Sequence, residues 1–283
     1  MPDSAGPEPL LVIDQVTKVF GARRFFSRSS HAQKPSVADA SLHIMPGETL
    51  GLVGESGSGK STLGRIALNL LTPSAGSVRF QGTDHRDRTS HEKRLLCRQL
   101  QMIFQDTRGA LDPRWCVGAQ LREPLDIHRI GAPQERRARV IEMTQRVGLD
   151  LALLKRRPGA LSGGQRQRIV IARAMMLKPA LVVCDEPVSA LDLSIQASIV
   201  ALLETLQSET GTAFLFISHD LRVVRRLAQR IAVMKQGRIV EMGPTQAIYD
   251  SPQQRYTQDL FAAAGLRAPE RRSGQLCRAV SAA

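Results

Sequence analysis

The chain has 283 residues, 42% of them hydrophobic, which is enough apolar material for one substantial core with a smaller lobe and excludes a disordered chain. No apolar run reaches the roughly 18–20 residues that span a bilayer, and the opening MPDSAGPEPL lacks the charged-then-apolar layout of a secretory signal, so a cytoplasmic protein is expected unless a partner holds it elsewhere. The net charge of +13 raises a nucleic-acid reading, but the basic residues are spread over many segments and only 4% of residues are aromatic, so an anionic membrane surface is the better expectation.

In chain order, LLVIDQV (10–16) reads as a strand and ADASLHI (38–44) as its alternating partner, with the polar, basic excursion GARRFFSRSSHAQKPS between them. ETLGLVG (48–54) is a buried strand that ends in a glycine-rich turn. Leu63, Ile66, Ala67 and Leu70 then recur on one helical face, which PSAG (73–76) stops. GSVRF (76–80) and LQMIF (100–104) are further strands. From about 106 to 160 the pattern changes to short helical pieces broken by Pro113, Pro124, Pro133 and Pro158, read as an inserted helical lobe. Strand character returns in ALVVCDEP (180–187), followed by a helix with Ile195, Ile199, Leu202, Leu203 and Leu206 on one face, the strand AFLFISHD (213–220), and then IAVM and GRIVEMG. Strands alternating with helices predict an α/β fold with a mostly parallel sheet covered on both faces. The Arg-, Ala- and Ser-rich tail has no periodicity and is expected to be loose. Cys97, Cys116, Cys184 and Cys277 are scattered without a C-x-x-C pair, which argues against a zinc site or a disulfide framework.

The run Gly54-Glu55-Ser56-Gly57-Ser58-Gly59-Lys60-Ser61-Thr62 fits G-x-x-x-x-G-K-[ST], with a strand before it and a helix after. Glycines let the backbone wrap phosphates, Lys60 neutralises β- and γ-phosphate charge, and the Ser61 hydroxyl can ligate Mg²⁺. Hydrolysis also needs a carboxylate for the metal and a group that orients the attacking water. LVVCDEP supplies both at a strand end: Asp185 for the metal and Glu186 as candidate general base. A second anion site follows at Ser162-Gly163-Gly164-Gln165, where a helix starts with exposed backbone N–H groups.

Together these motifs resemble the ATP-binding subunit of ABC transporters, over about residues 10–262 and in the family's order. Leu161-Ser162-Gly163-Gly164-Gln165 is similar to the family's signature motif, Gln105 in MIFQD to its Q-loop glutamine, Ser189-Ala190-Leu191-Asp192 to its D-loop, and His219 in ISHD to its switch histidine. Phe20 falls where the family stacks an aromatic ring on adenine, with Phe25 and Phe26 as alternatives. The resemblance implies a P-loop NTPase (RecA-like) core with a mostly parallel sheet, an antiparallel β subdomain and an inserted α-helical subdomain at about 106–160. The cassette would span 1–262, with a tail at 263–283. ATP and Mg²⁺ are the implied ligands: Phe20, Gly54 to Thr62, Ser162, Gly163, Gly164, Gln165 and Asp192 for nucleotide; Ser61, Gln105 and Asp185 for metal; and Glu186, His219 and Gln105 for catalysis.

In such proteins two cassettes pack head to tail, so the signature of one faces the nucleotide on the other's P-loop. The resemblance therefore implies a second cassette, identical or different. QMIFQDTRGALDPRWCVGAQLREPL, LDLSIQASIVALLETLQ and SPQQRYTQDLF are similar to segments of the peptide/nickel importer subfamily. That implies two membrane permeases, an extracytoplasmic substrate-binding protein acting indirectly, and a place on the cytoplasmic face of a bacterial inner membrane. Two departures leave the cargo open: Gln254-Arg255-Tyr256-Thr257 stands where His-Pro-Tyr-Thr is commoner, and Thr107-Arg108-Gly109-Ala110 replaces the usual proline and serines. Cys277 alone cannot build the iron–sulfur centre that some relatives carry. The alternative is a soluble ABC ATPase acting on nucleic acid or ribosomes. Only the charge supports it, and nucleic acid is not expected as a partner.

Overall fold

The computed structural model describes residues 8–21, 34–107, 109–189 and 191–266. Phe25, Phe26, Cys277 and most of the basic excursion after Phe20 lie outside them, as do Arg108 and Ala190. Leu11, Ile13 and Val16 are the buried apolar positions of β1 (Leu11–Lys18), and their spacing slips by one residue because Gln15 takes a left-handed φ of 48° beside a shift in register. β1 pairs antiparallel with β2 (Val37–Ile44) on one side and β4 (Ala75–Phe80) on the other, and β4 continues into β5 (Thr83–Asp84), giving the order β2-β1-β4-β5.

The second sheet has six strands in the order β10-β9-β3-β8-β7-β6. These are β3 (Thr49–Val53), β6 (Leu100–Ile103), β7 (Leu181–Asp185), β8 (Ala213–Ile217), β9 (Arg230–Lys235) and β10 (Arg238–Pro244). Every pairing is parallel except that of β10 with β9. Each residue of β3, β7 and β8 is buried, as expected of parallel strands covered on both faces. Alternation divides the side chains. Leu50, Leu52, Val183, Leu215 and Ile217 join the core shared with the antiparallel sheet and α1 (Lys60–Ala67). Val182, Cys184, Phe214 and Phe216 face the other layer, which includes α5 (Gly163–Met175), α6 (Leu193–Thr210) and α7 (Leu221–Leu227).

Between β6 and α5 the described residues contain no strand, only α3 (Val117–Ile127), α4 (Pro133–Arg146) and two 3-10 turns at Leu151–Lys155 and Pro158–Ala160. Pro133 opens α4, where its missing N–H has no helical partner to lose. Pro124 does not break a helix as expected: α3 continues to Ile127, with Leu121 and Leu125 buried on either side of the proline. α8 (Thr245–Asp250) and α9 (Arg255–Ala263) complete the described fold.

The helical face expected to include Leu70 stops earlier. Asn69 adopts φ 58°, a left-handed geometry that ends helices, and Leu70 is 59% exposed beyond it. A helix not expected from apolar spacing, α2 (Ser90–Gln99), buries only Leu96. It is started by a capping box in which the Thr89 hydroxyl accepts the Glu92 N–H and the Glu92 carboxylate accepts the Thr89 N–H.

At Gly51 the central strand has no room for a side chain, since a Cβ there would lie 2.4 Å from Val224 Cγ1 and 3.2 Å from Ala228 Cβ. Gly51→Ala is expected to destabilise the fold by about 1–3 kcal/mol through overpacking. Urea unfolding of the two proteins checks this.

Candidate active site

Four adjacent parallel strands, β3, β8, β7 and β6, end at the same edge of the sheet, where ligands bind in open α/β folds. β3 runs into the glycine-rich turn, β8 into Ser218-His219, β7 into Asp185-Glu186, and β6 into Phe104-Gln105. Sheet order thus gathers residues separated by up to 165 positions, Gly54 to His219, at one edge.

The turn can be built only from glycine at two points. Gly54 has φ 150° and a Cβ there would fall 2.1 Å from the Met234 carbonyl oxygen; Gly59 has φ 106° and its Cβ would fall 2.2 Å from the Ser36 carbonyl oxygen. The loop is clamped from outside by the β9–β10 turn: Gly237 N–H donates to Ser58 O at 2.8 Å, and Gly237 O accepts from Ala38 N at 2.8 Å. Lys60 opens α1, and its Nζ donates to Gly54 O at 2.8 Å and Glu55 O at 2.7 Å, with Ser58 Oγ at 3.4 Å. Burial lowers the Lys60 pKa below the ordinary lysine value, against the raising effect of Glu186, Asp185 and Glu55.

Ser61 Oγ donates to Asp185 Oδ1 at 2.8 Å. Burial raises the Asp185 carboxyl above its ordinary range, against the lowering effects of Ser61, Arg65 and Lys60. These are hard oxygens of the kind Mg²⁺ takes, and they fit that ion. Among the described residues no group of three or more His, Cys, Asp and Glu side chains could hold a metal. Glu186 leaves the strand at φ 48°, a left-handed conformation costing about 1–3 kcal/mol in a non-glycine residue. Its two carboxylate oxygens are both engaged: Gln105 Nε2 donates to Oε2 at 2.9 Å, and His219 Nδ1 lies 3.3 Å from Oε1.

An open cavity of about 610 Å³ is lined by Ser56, Gly57, Gly59, Lys60, Ser61, Thr62, Gln105, Glu186 and His219, and also by Ser36. Ser36 and Gly237 were not singled out from sequence. Both act through backbone placement by sheet pairing, and only the Gln-Gly turn at 236–237 left a trace in the residue pattern.

The other expected residues sit elsewhere. Ser162, Gly163, Gly164, Gln165 and Asp192 do not line this cavity. Ser162 caps α5: its Oγ accepts the Gln165 N–H at 3.2 Å while its own N–H donates to Gln165 Oε1 at 2.9 Å. Gly164 is tight against α6, a Cβ there falling 2.9 Å from Ile195 Cγ2, and Leu191 Cδ2 would be 3.6 Å from a Cβ on Gly163. Asp192 is the N-cap residue of α6 but makes no side-chain capping bond. Phe20 follows β1, is 52% exposed, has Lys18 Nζ 5.4 Å from its ring centroid, and does not line the cavity.

The family description "ABC transporter" matches residues 37–189, just over half of the chain. The chain belongs to the ABC transporter family. This ABC cassette is 45% identical over 268 residues to the glutathione import ATP-binding protein of Pectobacterium atrosepticum, covering 95% of the chain but 43% of that relative. It therefore spans less than half the length of that glutathione import protein. It is 42% identical over 264 residues to a probable peptide ABC transporter ATP-binding protein of Sinorhizobium fredii, covering 93% of the chain and 75% of the relative. Among solved structures, a dimeric ATP-binding cassette in a post-hydrolysis state with ADP and Pi matches with a TM-score of 0.73 at 29% identity, over 83% of this chain and 98% of that one. The fold expectation of a P-loop NTPase core is thereby met.

A carboxyl whose folded pKa is raised stabilises the fold only while protonated, and that contribution is lost as pH rises through the folded value. At neutral pH the ionised Asp185 is therefore a cost to the nucleotide-free ABC cassette. Asp185→Asn, which keeps the acceptor for Ser61, is expected to raise the melting midpoint of the nucleotide- and metal-free protein at pH 7–8. Differential scanning fluorimetry in the presence of a chelator reads the shift, and a lower midpoint contradicts the assignment.

Proposed function

We propose that this ABC cassette is the ATP-hydrolysing subunit of an importer and works as half of a head-to-tail cassette pair with separate membrane permeases. The observation that carries the reading is Glu186, held from both sides by Gln105 and His219 at the mouth of the Lys60 cavity. A carboxylate so placed can accept a proton from a water beside the phosphate loop. Gln105 fixes the carboxylate's orientation, and His219 is placed to respond to the charge that develops there. Lys60 exchanges its loop carbonyls for β- and γ-phosphate oxygens, with the backbone N–H groups of the loop around them. Ser61, Asp185 and Gln105 would hold Mg²⁺, which neutralises phosphate charge when bound. Phe20 is proposed for the adenine ring.

The placement of Ser162 to Gln165 outside the cavity supports a site completed by two cassettes. The helix start at Ser162 keeps its N-terminal dipole for a phosphate on a second copy or a related cassette, with Asp192 beside that junction. We propose a cassette at 1–262 with its helical subdomain at about 106–160. Between that lobe and the sheet runs a groove of about 540 Å³ lined in part by Leu70, Leu96, Phe104, Ile127 and Leu177, proposed to receive a cytoplasmic helix of a permease.

Among the described residues no helix is long and apolar enough to cross a membrane, so the proposed place is peripheral, on the cytoplasmic face of the bacterial inner membrane. The relatives named for glutathione and peptide import support small peptides as cargo; an extracytoplasmic binding protein is proposed to deliver it.

Glu186→Gln is expected to lower steady-state ATP turnover about 10²–10⁴-fold, leave ATP affinity within severalfold, and favour a closed dimer on light scattering. Retained turnover would remove Glu186 from the role of base. Ser162→Arg is expected to abolish turnover while the isolated chain still binds ATP; loss of binding as well contradicts the two-cassette site. Co-purification with membrane permeases supports import, whereas strongly salt-sensitive RNA or DNA binding supports the soluble factor.

A further inference from the structure

The segment SPQQRYTQDLF has no part in the chemistry assigned above, yet it reaches the phosphate loop. Its helix α9 is fixed before it arrives there. The backbone N–H groups of Gln253 and Gln254 donate to the Glu241 carboxylate of β10 at 2.7 and 3.1 Å. Thr257 is fully buried, and the Phe261 ring packs 4.6 Å from Tyr249. From this base Tyr256 extends to the active-site edge, where its Oη accepts the Glu55 N–H at 3.2 Å. Lys235 Nζ of β9 stands 4.4 Å from the centroid of the same ring and holds its face.

The hydrogen bond acts on one particular peptide group. Glu55 N–H and Gly54 C=O belong to the same planar unit and point in opposite directions. The Gly54 carbonyl accepts Lys60 Nζ at 2.8 Å, so this unit is gripped at both ends, by Lys60 on the inside and by Tyr256 on the outside. Gly54 sits at φ 150°, without a side chain to resist rotation of the peptide plane. We propose that Tyr256 is a positioning residue for the phosphate loop: it orients the Gly54–Glu55 peptide and, through it, the Lys60 ammonium that receives the nucleotide's phosphates. The inference rests on the nucleotide reading of this site. Its consequence is that part of the ordering needed for binding is done by the C-terminal helix before the ligand arrives.

Tyr256→Phe keeps the ring, its packing and its contact with Lys235, and removes only the acceptor. In the full chain, affinity for a fluorescent ATP analogue is expected to fall about three- to tenfold, the range of one net hydrogen bond. The melting midpoint of the nucleotide-free protein is expected to move by less than about 2 °C. Hydrogen exchange over residues 54–60 should quicken without nucleotide, while α9 keeps its protection. Unchanged affinity with unchanged exchange overturns the proposal. So does a loss of affinity that comes with a lower midpoint and faster exchange in α9, because that describes an undocked helix. A wild-type chain that binds no ATP overturns the nucleotide reading instead, and exchange over 54–60 still decides the role of Tyr256.

Discussion

The parallel pairing of β3 with β8, and of β8 with β7, is the constraint from which the site follows. In register, Leu52 lies beside Ile217 and Ile217 beside Asp185, so the three strands finish level. What leaves their ends is then adjacent whatever its distance along the chain: a loop for phosphate, a histidine and two carboxylates. Apolar residues on both faces of these strands hold that register, because a slip of one position would exchange Val182 and Cys184 with Val183 between opposing cores. Chemistry at the edge is thus a product of burial in the middle.

The proposed nucleotide reading gives the chain two anion-binding elements with different local designs. At Gly54 and Gly59 the loop is packed so closely against Met234 and Ser36 that a side chain is excluded, and its lysine is already coordinated by backbone carbonyls. The helix start at Ser162 is capped by its own serine and glutamine, and its Gly164 packs on Ile195 of α6. The first lines the cavity, and the second lies outside it. The proposed site shared between two cassettes uses both.

How much of this was legible depended on whether a feature is local. The phosphate loop was readable because its residues are consecutive, and its flanks, a buried five-residue strand and a helix, are set by neighbouring residues. Asp185 and Glu186 were readable for the same reason, at the end of an apolar run. Ser36, Gly237 and Tyr256 were not, since each reaches the loop only through sheet order or helix docking that spacing does not encode. Leu70 was misplaced because a periodic apolar pattern carried past Asn69, where backbone conformation had already ended the helix. α2 was overlooked because charged residues dominate it, although Thr89-x-x-Glu92 announced its start.

The buried lysine and aspartate at the cradle have a further meaning for how the protein is observed. Both groups bear a desolvation penalty in the nucleotide-free fold, Lys60 toward losing its proton and Asp185 toward keeping one. On the proposed nucleotide reading, a polyanion with its counter-cation would relieve both at once, so occupancy and conformational robustness would rise together, as for any ligand that favours the folded over the unfolded chain. The heat tolerance of this cassette would then be a gauge of how full it is.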